Sequence, residues 1–508
     1  MIYFTGQTQR RYLYKNLMKI LLWVNVLLLS ACNSGGKNHS DDTIDRTEYL
    51  LAISKTGSGA GIVISNPDGL DCGDDCSESF VAETVVTLSA APDSGSTFKG
   101  WSGGGCSGTG DCQISMDQEY AVIADFEKNM EENSSCEPLN PDDFPCDILV
   151  SNATELETAI NNLQENETIC LEDGEYAMGN MFIWASNTTI RSSSGNRDAV
   201  IIDNAYRESQ SIFSVRADHV TISDLTLKRA WWHAIHVSGG GHFANLHNLH
   251  IIDAREQFIK VNNNGAQRND DGTLSCSFLE LTDTGREFIQ DNPTSASLQC
   301  YTGGIDVLTA DNWLVKNNTF KNIYCNNGYL PTHMILFWQD TSNPTVEKNT
   351  IVNCARGIGF GLGTSKTHSG GIIKNNMIYD DETLYGTFDV GIGIENAQNV
   401  KVCNNTVYVG HYFNAIEYRF SGTTGTQIFN NLTNHTIAER NGGTADLKNN
   451  VTHAQASWFS AITEGDLHLA YDVPEAVDQG IDIPEVTDDI DGEKRDDGNP
   501  DTGADEYK

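Results

Sequence analysis

Arg216, His236, Lys260 and Asp306 are the side chains in this sequence whose types suit proton removal beside a carboxylate. A lysine flanked by a histidine and an aspartate can be tuned to act as a base, and a guanidinium neutralises a substrate carboxylate and so acidifies the proton next to it. Together they point to eliminative cleavage of an anionic, uronate-containing polysaccharide, with Lys260 as the base. Trp338 adds an aromatic face on which a sugar ring can stack. Gly359, Gly361 and Gly393 strip side chains from the neighbouring backbone, so a ring could approach it closely, or a covering loop such as the insertion around Cys276 to Cys300 could lie there. His333 and Arg356 stand at strand starts beside those glycines and are second-choice binding residues. The rival chemistry is glycoside hydrolysis by two carboxylates about 5–10 Å apart. Glu395 and Glu417 fit it on adjacent rungs, with Arg419 close enough to make an ordinary ion-pair ladder of them. A non-catalytic surface or adhesion protein is the third reading.

What places these side chains together is a register. The pairs Ile235/Val237, Ile259/Val261, Ile305/Val307, Ile335/Phe337, Ile358/Phe360, Ile392/Ile394 and Ile416/Tyr418 read as one strand per coil, with Phe213/Val215 one coil earlier. Alternation sends these residues inward and the ones between and after them outward. The first outward column is then Ser214, His236, Lys260, Asp306, Leu336, Gly359, Gly393 and Glu417. The second is Arg216, Ser238, Asn262, Leu308, Trp338, Gly361, Glu395 and Arg419. Asn318, Asn349, Asn376, Asn405 and Asn431 recur 31, 27, 29 and 26 residues apart. A period in that range marks a solenoid; Asn suits a left-handed turn made at the same place in every coil, and stacked amides can hydrogen-bond to one another. The spacing predicts a parallel β-helix over 147–475. Ahead of it SNATELETAINNLQ (151–164) carries Leu156, Ile160 and Leu163 at helical spacing.

Several segments resemble known families. Arg10, Arg11, Lys15 and Lys19 precede an apolar run ending in Leu29-Ser30-Ala31-Cys32, which resembles a bacterial lipoprotein signal peptide over 1–31, with Met18 as an alternative start. The resemblance implies acylation of Cys32, outer-membrane or cell-surface anchoring through that lipid, and a tether over 32–46. Residues 47–127, with GIVISNPDGLDCGDDCSESF and GWSGGGCSGTGDC, resemble the divergent internalin-type bacterial B-repeat, a small all-β module, followed by a Pro- and acid-rich linker over 128–146. The helix-then-strand at 151–172 resembles the N-terminal cap of right-handed parallel β-helix proteins. The segment 476–508, with DIDGEKRDDGNPDTGADEY, resembles the closing segment of secreted bacterial ones. In these fold signals the chain resembles the pectate-lyase-like superfamily, whose lyases set Lys and Arg on an outer sheet.

Seventy acidic against 32 basic residues, a formal charge of −38, argue against a nucleic-acid partner. The acidity could favour Ca2+ bridging to an anionic sugar, although no carboxylate spacing matches a calcium loop. No other cofactor is expected, and the chain reads as a monomer. Of 13 cysteines, Cys32 is set aside for lipidation, and the remaining even number favours disulfides in an oxidising compartment. Their spacing suggests local pairs: Cys72/Cys76, Cys106/Cys112, Cys136/Cys146, Cys276/Cys300 and Cys325/Cys354, with Cys170 and Cys403 unassigned.

Overall fold

The computed structural model describes residues 47–508 except 58–60, 73–75, 93–95, 129–135, 209, 264, 266, 365–366, 382–386 and 496–498. The expected signal peptide, Cys32 and the tether lie outside the described residues. The chain divides into two units: the described residues of 1–54, 63–89 and 101–124, and those of 55–62, 90–100 and 125–508. In the first, Glu48 to Ala52 pair antiparallel with Ser77 to Val81, and Val85 to Leu88 with Cys112 to Ser115. Alternating burial puts Leu51, Val86, Leu88 and Ile114 inside, and the Cys72–Cys76 and Cys106–Cys112 disulfides staple this small β module.

The second unit contains a right-handed parallel β-helix. A ten-stranded parallel sheet takes one strand from each coil: Met181–Ile183, Phe213–Val215, Ile235–Ser238, Gln257–Asn262, Gly303–Leu308, Ile335–Trp338, Ile358–Phe360, Ile392–Glu395, Asn414–Arg419 and Thr436–Arg440. A twenty-stranded sheet carries most of the other strands of the coils, and a short three-stranded parallel sheet, Thr341–Ser342, His368–Ser369 and Ala397–Gln398, takes one more from each of three coils. Ile235, Ile259, Ile305, Ile335, Ile358, Ile392 and Ile416 are in register from strand to strand and fully buried, forming the interior column the alternation predicts. Helix Ala153–Asn162 opens on Asn152, whose side chain accepts from the Glu155 backbone N–H, and buries Leu156, Ala159 and Ile160 in the same core. Leu163 is the residue just past the helix.

The asparagines divide two tasks between neighbouring positions. Asn317, Asn375, Asn404 and Asn430 adopt the left-handed backbone that turns the chain. The next residues form a buried amide ladder: Asn318 donates to Asn349, and so on through Asn376, Asn405, Asn431 and Asn450, each link 2.9–3.0 Å. Asn376 also donates to the Val346 and Lys374 carbonyls and accepts from the Asn349 backbone. Asn376→Ala should therefore orphan several buried groups and cost about 3 kcal/mol or more, read as a lowered denaturation midpoint.

Cys72–Cys76 and Cys106–Cys112 pair locally as expected, but the remaining cysteines depart from the local expectation. Cys136 bonds Cys276, Cys146 bonds Cys170 and Cys300 bonds Cys325, while Cys354 and Cys403 are free and buried. In a solenoid a residue's spatial neighbour lies a coil away. The segment 136–146 also runs back over the early coils, where His247 Nε2 donates to the Glu137 carbonyl, Leu139 N–H donates to Asp224 and Arg191 Nε donates to the Phe144 carbonyl. The closing segment docks on the same kind of turn further along: Asn375, Asn404 and Asn430 donate to the carbonyls of Asp488, Asp501 and Ile481. Within it Arg495 is buried against Glu506 at 2.5 Å.

Candidate functional site

The ten-stranded sheet carries the first predicted column in register, and the second where Ser238 pairs with Asn262, Leu308 with Trp338 and Glu395 with Arg419. Strand pairing places His236 beside Lys260, Lys260 beside Asp306, Asp306 beside Leu336, and Gly359 beside Gly393. It also extends the first column one coil earlier, to Phe182 beside Ser214. Phe182 and the adjacent outward Trp184 stack with ring centroids 6.1 Å apart, and Trp184 is 70% exposed. The sequence reading missed this pair, although MFIW at 181–184 has the same apolar-x-apolar register as the strand that follows. Trp338 lies five strands along from Trp184, roughly 24 Å at the usual strand spacing.

Between the tryptophans sits a cluster of nitrogen-bearing side chains. Lys260 Nζ meets Asp306 Oδ2 at 2.5 Å, and Trp338 Nε1 donates to Asp306 Oδ1 at 2.6 Å. The pair is not exposed as outward residues of a bare sheet would be: Asp306 is 1% and Lys260 8% accessible. His236 Nε2 donates to Asn262 Oδ1 at 2.8 Å, which leaves Nδ1 as its basic nitrogen. Burial, reinforced by the positive charges of Arg216 and Lys260, pushes the His236 pKa below its ordinary value; the hydrogen bond to Asn262 opposes the shift. His236 is therefore a neutral imidazole among cations. His233, its ring 5.5 Å away and also missed in the sequence, is buried and donates to the Gln257 carbonyl. Desolvation drives its pKa well down. Arg216 Nε is buried with no acceptor among the described residues. Arg216 also lines a cavity of about 530 Å³ with Trp184, Gly240, His242, Gln267 and Arg268.

The glycine floor is not bare. A side chain on Gly359 would meet the His333 ring at 2.9 Å, and one on Gly393 would meet Val390 at 3.2 Å. Covering connections thus fill the space expected for a sugar. His333 itself is buried, its Nδ1 without a partner among the described residues, so it covers the glycines rather than lining an open groove. Gly361 answers to its backbone: it has φ +78° and its Cβ would strike the Glu395 carbonyl. Arg356 is engaged by Asp389 at 2.9 Å and by the Pro331 carbonyl.

The two carboxylates of the hydrolytic reading are both occupied. Glu395 accepts from Arg419 and from the Gly363 N–H, each at 2.6 Å. Glu417 is completely buried and accepts from Tyr412, Asn414 and Arg440. Neither presents an oxygen poised to protonate a leaving group, so this end of the column is an ion-pair ladder.

Residues 69–130 match the family model described as Divergent InlB B-repeat domain. No curated protein matches the chain. Among solved structures, the pectate lyase Pel9A is 15% identical over 69% of this chain and 90% of its own, with a TM-score of 0.41. An alginate lyase from Paenibacillus sp. str. FPU-7 is 16% identical over 61% of this chain and 99% of its own, also with a TM-score of 0.41. PfbA, a surface adhesin of Streptococcus pneumoniae, is 10% identical over 63% and 88%, with a TM-score of 0.35.

Proposed function

We propose that the outward face between Trp184 and Trp338 binds an anionic, uronate-containing polysaccharide and cleaves it by β-elimination. The observation that carries this reading is geometric: His236 stands beside Lys260 on adjacent strands, with Arg216 near enough to act on its imidazole, a gathering of basic side chains in a chain whose formal charge is −38. Arg216 lines the cavity with Trp184, where its guanidinium can meet a substrate carboxylate. With Lys260 tied to Asp306, the proton acceptor is His236 Nδ1 rather than the lysine amine. His236 takes the C5 proton, the C–H electron pair becomes the C4–C5 double bond, the C4–O bond breaks and the leaving oxygen takes a proton from water. Arg216 favours the step by stabilising the charge that develops on the carboxylate.

The test is ultraviolet absorbance of the unsaturated product across a panel of anionic polysaccharides. Wild-type protein should generate the chromophore, and His236→Ala should lose about 10²–10⁴-fold in rate. Binding of a polymer with no chromophore and no chain shortening would transfer the case to a non-catalytic surface protein. Because the base must be unprotonated and its pKa lies below 6.5, kcat/KM should hold as pH falls through 6.5 and decline only beneath it. An acid limb centred above 6.5 would exclude His236 as the base.

The disulfides fit an oxidising, extracytoplasmic setting. A lipid on Cys32 would hold the protein at the membrane surface, and Cys32→Ser should move it to the soluble fraction; a variant still sedimenting with membranes would refute the anchor.

A further inference from the structure

His468, Asp491 and Asp505 converge where the closing segment meets strand Asp466–Leu469, each offering one ligand atom within 4.8 Å of the others. The imidazole is oriented from behind, since its Nδ1 lies 2.6 Å from Asp466 Oδ1, the carboxylate–histidine arrangement that turns Nε2 toward a metal. Nε2 is itself buried and stands 2.9 Å from Asp491 Oδ2, a pairing that a metal taking both groups as ligands would replace. Asp505 is 9% exposed, and its only hydrogen bond among the described residues is from the Leu469 N–H to one oxygen, so the buried carboxylate has a further oxygen to give. Asp491 sits in a turn fixed by Asp489, which accepts from the N–H groups of Asp491, Glu493 and Glu506.

We propose that His468, Asp491 and Asp505 bind one divalent ion of the zinc type, and that the ion pins the closing segment to the solenoid. An imidazole with carboxylates suits zinc and its transition-metal neighbours, whereas calcium takes six to eight oxygen ligands. The fourth position falls to water, because Asp491 is half exposed. The site lies outside the ten-stranded sheet, so its role is structural.

The experiment is equilibrium dialysis of metal-stripped full-length protein against zinc chloride, with metal analysis and a thermal melt of each sample. Wild type should retain one equivalent and melt higher with zinc. His468→Gln and Asp491→Asn should weaken binding at least about tenfold and abolish the zinc-dependent rise. Asp446→Asn, which alters an exposed acid elsewhere, should behave as wild type. Asp491 is exposed enough that its substitution leaves the fold, monitored by circular dichroism, in place. Failure to retain zinc, retention of calcium alone, or equal binding by both ligand variants would overturn the proposal and leave an ion-paired histidine.

Discussion

Lys260→Ala is expected to lower the stability of the β-helix by about 3–5 kcal/mol, because it leaves the Asp306 carboxylate buried without its cation. A lysine on an open sheet face would cost far less. Here the side chains of Lys260 and Asp306 are only 10% and 2% accessible, so solvent screens the loss little. Activity should also disappear, but that loss alone does not separate a chemical role from a structural one. The double variant Lys260→Met with Asp306→Asn does separate them, since it removes both charges and keeps an oxygen for Trp338 Nε1. It should recover most of the lost stability in denaturant melts while leaving elimination impaired, because the positive charge beside Arg216 is gone. A single variant that loses less than about 1 kcal/mol would show the pair behaving as an exposed one.

The contrast between the Ile column and the glycine floor shows which parts of this molecule its sequence could disclose. Ile235 through Ile416 were legible because strand alternation has a fixed period and each coil repeats it, and Asn318 through Asn431 because every coil turns at the same place. What lies over Gly359 and Gly393 was not legible. His333 and Val390 arrive on connections of unequal length, and no period constrains where such a loop folds. Phe182 and Trp184 were within reach of the register argument, which stopped one strand short of them. Cys72–Cys76 and Cys106–Cys112 were legible as local pairs, whereas the Cys136 pairing failed for a related reason: proximity along the chain is a poor guide when the segment 136–146 returns to coils formed a hundred residues later.

That return sets the other large effect. Cys136–Cys276 closes a loop with a sequence separation of 140, for which the loop-closure model gives about 5 kcal/mol of stabilisation through the unfolded chain. Cys136→Ala with Cys276→Ala should therefore cost up to that amount in denaturant unfolding. In a solenoid each coil leans chiefly on its neighbours, so loosening should spread from the affected end rather than act uniformly. The enclosed segment contains the cap helix Ala153–Asn162, the strands bearing His236 and Lys260, and those that end just before Trp184 and Arg216. Backbone hydrogen exchange should accordingly quicken from Met181 to Asn262 and stay slow along the Asn349–Asn431 ladder. Unchanged protection across Met181–Asn262 would mean that the hydrogen bonds from Arg191, His247 and Leu139 hold the returning segment without the disulfide. If protection there is lost, the proposed site depends on a covalent tie made outside the sheet that carries it, and reductant should inactivate the protein before it unfolds the coils beyond Asn349.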